Sequence, residues 1–201
     1  MIAPDAHALP THTRENQRRL VLACASGDPA AWTAVVRAHG RWLFTLAFWL
    51  SGSREHAEET VSETFAAAAV AWGRADPAPT LAVWLARTCY DLTGRPPSAP
   101  ARRPAEAGPF IDPRHRTVAT GLAGLPFELR AAIVLRCVLG FHTGDAACVM
   151  DVPCAGFEHY LLQGFGQLRE RLGEEPAEPT VPPARSVGRA RALALPDTLP
   201  T

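Results

Sequence analysis

Residues 143–172 read TGDAACVMDVPCAGFEHYLLQGFGQLRERL, and their pattern is a short helix, a tight turn and a longer helix. Thr143 is expected as an N-cap with an acid, Asp145, in the first turn, and Ala146, Ala147, Val149 and Met150 make a helix apolar enough to pack. Asp151, Val152 and Pro153 form the turn, because a proline in the first turn of a helix loses no hydrogen bond. Phe157, Leu161, Phe165, Leu168 and Leu172 recur at spacings of three and four, one apolar stripe on a helix that stops at Gly173. A short helix, a turn and a longer helix is the unit that lays its second helix in a DNA major groove.

What that second helix lacks bears on function. Phosphate contacts from Lys and Arg supply most of the affinity of such a helix. Residues 154–168 contain neither; their only charge is Glu158, and Gly156, Gly164 and Gly166 weaken the helix. The same stretch therefore proposes a DNA-binding fold and questions its affinity for DNA.

At 201 residues, 47% hydrophobic and 20% charged, the chain can form one or two small globular domains. Its 20 basic residues are all Arg and balance 20 acids, so attraction to nucleic acid has to come from local patches. Only residues 93–121, with five Arg against two acids, are basic. The Cys residues form no CxxC pair and no leader-like apolar run opens the chain, which points to a reducing cytoplasm. The longest apolar run, 42–50, is too short to span a bilayer, so no membrane insertion is expected.

Taken in order, residues 1–13 are read as a mobile N-terminal arm. A first helix from Arg14 to about Ala25 carries Leu20, Val21 and Cys24 on one side. Pro29 opens a long second helix with Trp32, Val35, Val36, His39, Leu43, Leu46, Ala47 and Leu50 on one face. Ser53 caps a third, with the stripe Ala57, Val61, Phe65, Ala68, Ala69 and Trp72; Thr80 caps a fourth with Leu81, Trp84, Leu85, Thr88 and Leu92. The stretch 93–113, with six Pro in 21 residues, is a linker. Beyond it come a helix over 114–123, another over 126–138 with Leu129, Ile133, Val134 and Cys137 inward, and the helix-turn-helix. Residues 173–201 are read as a disordered Pro-rich tail. The fold class is all-α: two small helical domains, 14–92 and 114–172, joined by a linker.

Two all-α units in this order resemble the extracytoplasmic-function (ECF) sigma factors of the sigma-70 family. Leu20-Val21, Gly27-Asp28, Ala31-Trp32, Leu43-Phe44, Leu46-Ala47, residues 57–65 (AEETVSETF) and 83–87 (VWLAR) are similar to sigma region 2. Residues 122–126 (LAGLP), 130–136 (RAAIVLR), Gly140-Phe141, Ala147, Val152-Pro153 and 168–172 (LRERL) are similar to region 4. The resemblance implies a protein that binds core RNA polymerase and directs it to promoter DNA. It assigns Val61, Ser62, Glu63 and Phe65 to polymerase, and Arg87, Tyr90 and Asp91 to the melted promoter strand. It also assigns Cys154, Ala155, Glu158 and His159 to the upstream duplex element. An anti-sigma factor is the further class of partner it allows.

The chain departs from that pattern where the family usually carries basic residues, at Glu158, Tyr160, Gln163, Phe165 and Gln167. Each missing phosphate contact removes about 0.9 from the salt slope of duplex binding. Glu158 retains one chemical option, accepting from a cytosine amino group. A second reading is therefore a sigma-like interaction module that has lost promoter recognition. The linker arginines Arg95, Arg102, Arg103, Arg114 and Arg116 suit a nucleic-acid track, a polymerase channel or a solvated linker alike. His142, Cys148, Cys154 and His159 do not match zinc spacings, and cysteines of this kind are expected as small buried hydrophobes, so neither metal nor cofactor is expected. No phosphate loop, activated nucleophile or paired carboxylates suggest an enzyme.

Overall fold

The computed structural model describes residues 14–72, 80–94 and 113–173. Its helices are α1 (Arg14–Ala25), α2 (Pro29–Ser51), α3 (Arg54–Ala71), α4 (Leu81–Thr93), α5 (Pro113–Ala123), α6 (Phe127–Ile133), α7 (Thr143–Met150) and α8 (Cys154–Leu172). A π-helical turn, Val134–Val138, continues α6. No strand occurs among the described residues, and none of their helices is long and apolar enough to cross a membrane. The expected arm, most of the linker and most of the tail lie outside the described residues.

Local chemistry accounts for the helix ends. The Asp28 carboxylate accepts from the Ala30 N–H at 2.8 Å, Pro29 follows at the first helical position, and Gly52 closes α2 in the left-handed conformation at φ 70°. Ser53 and Thr80 accept from the N–H groups of His56 and Val83, capping α3 and α4 as expected. The α7 start differs. The carbonyl of His142 receives the first helical bond, from the Ala146 N–H, so His142 is the N-cap and Thr143 is already helical without capping through its side chain.

α2, α3 and α4 pack around Leu43, Leu46, Ala47, Leu85 and Ala86. The Trp32 and Trp72 rings stack at 5.3 Å, and Trp84 meets Trp72 edge-on at 5.8 Å, which seats all three tryptophans in packing roles. On α3 the inward face is Ala57, Thr60, Thr64 and Ala68; of the larger residues of the expected stripe Trp72, just past the helix end, is buried while Val61 and Phe65 are not. Thr64 donates to the Thr60 carbonyl at 2.7 Å, so its hydroxyl is satisfied where it is buried. Val61 and Phe65 are displaced to the rim and Ala69 is exposed. Val36 likewise turns outward on α2, where Ala31 and Trp42 take buried positions.

The second half does not stand apart from the first. One continuous core runs from Val21 and Leu43 through Leu85 to Leu135, Phe141, Val149 and Phe157. Trp42 meets Phe141 edge-on at 6.0 Å, and α7 packs along α4. The π turn shifts the face of its helix: Leu135 is fully buried and Cys137, expected inward, is exposed. On α8 the buried line is Phe157 and Gly164, flanked by Leu161 and Leu168, while Phe165 is exposed because it lies well round the helix from that line.

Cys148 and Cys154 are exposed rather than buried, like Cys137, whereas Cys24 and Cys89 are enclosed. Burial pushes the Cys89 thiol up to about 12 from 9.0, against the opposing hydrogen bonds of Thr93 and Thr64. Folded Cys89 keeps its proton where the unfolded thiol loses it, so its contribution to stability is intact below pH 9.0 and is lost as pH rises toward about 12. At neutral pH a thiol reagent should label Cys137, Cys148 and Cys154 in the native chain and reach Cys24 and Cys89 only on unfolding. Peptide mapping of labelled protein checks this.

Candidate functional site

Two surfaces carry the residues singled out above. The first is the outer side of α2 and α3. Ser62 and Glu63 are exposed, Val61 and Phe65 half-buried, and the Phe65 ring lies 4.0 Å from where a Cβ on Gly40 of α2 would sit. Phe44 and Phe48 stack at 6.0 Å along α2, and the Arg54 guanidinium lies over the Phe44 ring at 5.8 Å. With Val36 45% exposed, this side offers an apolar strip, whereas Glu63 lies on the other flank of α3 from Val61 and Phe65. Aromatic and aliphatic anchors beside a charge are the usual make-up of a protein-binding surface.

The second surface is α4. Arg87 and Asp91 are exposed, and Tyr90 is half-buried. Neither Arg87 nor Tyr90 is free: the Arg87 guanidinium pairs with the Asp151 carboxylate at 2.9 Å, and the Tyr90 ring packs on Phe127 at 5.1 Å. Burial, with Glu128, Asp91 and Tyr160 close by, pushes the Tyr90 hydroxyl up to about 12.

At α8, Cys154, Ala155, Glu158 and His159 all face solvent at the N-terminal end, which is where a groove-reading helix presents side chains. The face continues into Leu162, 72% exposed, and Phe165. Arg169 and Arg171 appear only in the last turn. The helix thus exposes an apolar and weakly acidic surface where a duplex would need cations.

Two residues given no binding role by the sequence shape these surfaces. Arg130 is half-buried on α6 and donates through both terminal nitrogens, to the Leu50 carbonyl at 2.7 Å and to the Leu125 carbonyl at 3.1 Å. Leu50 lies in the last turn of α2, where carbonyls lack helical partners and a cation complements the helix dipole. Burial lowers the guanidinium from its usual value. Asp151 is the other. An arginine amid apolar residues and an acid at a turn were the available signals, but neither names its partner. Among the described residues no group of three or more His, Cys, Asp and Glu is placed to hold a metal ion.

Residues 35–92, covering most of α2 through α4, match the sequence profile of sigma-70 region 2. The chain is 27% identical over 174 residues to the ECF RNA polymerase sigma factor SigE of Mycolicibacterium smegmatis, covering 77% of this chain and 67% of that one. The chain is thus similar to ECF sigma factors of the sigma-70 family. Two solved structures share the fold. CnrH, in complex with the cytosolic domain of CnrY, gives a TM-score of 0.63 at 23% identity over 78% of this chain and 97% of that one. The complex of the sigma factor RpoE with the anti-sigma factor NepR from Bartonella quintana gives 0.51 at 20% identity, over 81% and 99%.

Proposed function

We infer that this chain is an ECF-type RNA polymerase sigma factor: it binds core RNA polymerase and directs promoter-specific transcription initiation. The observation that carries this reading is the region 2 match over α2–α4, which includes the uncovered α3 rim of Val61, Ser62, Glu63 and Phe65. Under it, residues 14–92 act as region 2 and residues 114–172 as region 4. Arg87, Tyr90 and Asp91 take the melted strand, and Cys154, Ala155, Glu158 and His159 face the upstream duplex. The protein works in the cytoplasm, where polymerase is, and its role is regulatory, not enzymatic. An anti-sigma factor is a fitting further partner, since RpoE was crystallised with one.

A second reading is favoured by one observation, the exposed face of α8 that carries no cation before its last turn: a sigma-like module that acts through polymerase or another protein without reading duplex DNA.

Run-off transcription from fragmented genomic DNA of the source organism, with core polymerase alone or with this protein, separates the two. Discrete new transcripts are expected. Suppression of housekeeping-sigma transcripts without new ones would favour the second reading, and no effect on either would remove both. Glu63→Arg on the α3 rim should weaken core binding about 5–30-fold, the effect of losing one central interface contact, in a fluorescence titration against core polymerase.

A further inference from the structure

We propose that the exposed face of α8 is a self-association surface on which a second copy of this chain lays its own α8 antiparallel, a contact independent of the function proposed above. Glu158, Leu162, Phe165 and Arg169 are all exposed and stand at spacings of four, three and four. On a regular helix that places them on one stripe about 60° wide. The stripe lies well round the helix from Phe157 and Gly164, the residues that α8 buries against the rest of the fold. Leu162 is 72% exposed and Phe165 40%, and among the large exposed hydrophobics of the described residues these are the two that share a helix. With Leu168 and Leu172 they line an open hollow, which Gly166 leaves unfilled because it has no side chain.

Charge decides which occupant fits. Glu158 and Arg169 bracket the two hydrophobics about 16 Å apart along the axis, too far to pair with each other. Neither has an ion-pair partner among the described residues. The span from Glu158 to Arg169 and the span from Leu162 to Phe165 centre on the same point, between Gln163 and Gly164. A two-fold axis at that point sets each Glu158 against the partner's Arg169 and each Leu162 against the partner's Phe165, the self-complementary pattern of an isologous interface. A parallel partner would instead set acid against acid and base against base. An acid near the start of a helix and a base in its last turn also suit the dipole of that helix alone, but the dipole does not require them to flank two exposed hydrophobics on one line. Duplex DNA is the poorer occupant, since the stripe opens on a carboxylate. One helix face per copy is a small interface, of the weak and reversible class.

The test is sedimentation velocity of the full-length chain from about 1 to about 300 µM at about 50 mM salt, with circular dichroism to check that each variant is folded. Dimers with a dissociation constant on the order of 10–100 µM are expected. Glu158→Arg and Arg169→Glu each turn two attractions into two repulsions, so either variant alone should dimerise about 5–30-fold more weakly. Mixed in equal amounts, the two variants regain opposite charges at both contacts and should associate with each other about as tightly as the parent does with itself. Leu162→Ala, which leaves the charges in place, should weaken the dimer about 10-fold. A parent that stays monomeric at the highest concentration would overturn the proposal and leave the face to another occupant, a partner protein or duplex DNA. Self-association that all three variants leave unchanged would overturn it as well, because the contact would then lie elsewhere. Weakening in the single variants with no recovery in the mixture would exclude the antiparallel register, and with it the pairing proposed.

Discussion

Replacing Phe141 by alanine should destabilise the chain by about 3–5 kcal/mol, the usual cost of emptying a fully buried phenylalanine site. Phe141 is 1% exposed and meets Trp42 edge-on, and its main chain is held at both ends: its N–H donates to the Leu135 carbonyl at 2.9 Å and its carbonyl accepts from Arg136 at 3.0 Å. The surroundings therefore have little freedom to collapse into the space. The loss is a large share of the stability of an ordinary domain. It falls on the seam between the halves, which gives the experiment a second readout. All five tryptophans lie in the first half, with Trp42 on Phe141 and Trp49 on the Leu122–Ile133 cluster, so their fluorescence follows that half and the seam while circular dichroism follows both halves. Urea unfolding of the parent should give coincident transitions by the two probes, and Phe141→Ala should lower the midpoint and separate them. A drop below about 1 kcal/mol with coincident transitions would mean that the seam adds little to either half.

Gly164→Leu should destabilise by about 1–3 kcal/mol through overpacking, and more if α8 is driven off α6. A Cβ at residue 164 would lie 3.0 Å from the Ile133 methyl and 3.1 Å from the Leu129 carbonyl oxygen, and the latter belongs to a helix backbone that cannot rotate away. The control is Gly166→Ala on the same helix. A Cβ there meets nothing within 4 Å, so the alanine should stabilise by about 0.5–1 kcal/mol through helix propensity. Thermal melts of the two variants should move in opposite directions. Equal shifts would mean that both glycines act only through backbone entropy.

These two glycines also mark how far sequence reading goes. Composition and propensity treat Gly156, Gly164 and Gly166 alike, as weak points in a helix. In the fold Gly164 is the place where α8 touches α6, and Gly166 faces open space. The same limit applies to α3. Amphipathic spacing selected Val61 and Phe65 as core because they are apolar, yet two threonines share the buried face, with Thr64 bonded back to the helix and close to Cys89 of α4. Displacement of Val61 and Phe65 to the rim is what leaves them partly uncovered. Periodicity also assumes a regular helix, and the π turn at Val134–Val138 breaks that assumption, which is why Cys137 points outward.

The helices themselves, the opening of α2 at Pro29, the caps at Ser53 and Thr80, the stop at Gly173, and the short-helix, turn, long-helix close are legible along the chain, whereas the Asp28 cap and the Gly52 stop emerge with the structure. Each depends on residues within a turn or two of one another, so local propensity, capping and hydrophobic spacing suffice. The missing cations of α8 are legible for the same reason, since a charge count needs no fold. The seating of the second half on the first is different in kind. Arg87 meets Asp151, Tyr90 meets Phe127, Trp42 meets Phe141 and Arg130 meets the end of α2 across separations in sequence that no periodicity spans. Such pairings follow from which apolar faces remain uncovered after the helices form and from the burial gained when they close on each other, a property of the packed chain as a whole.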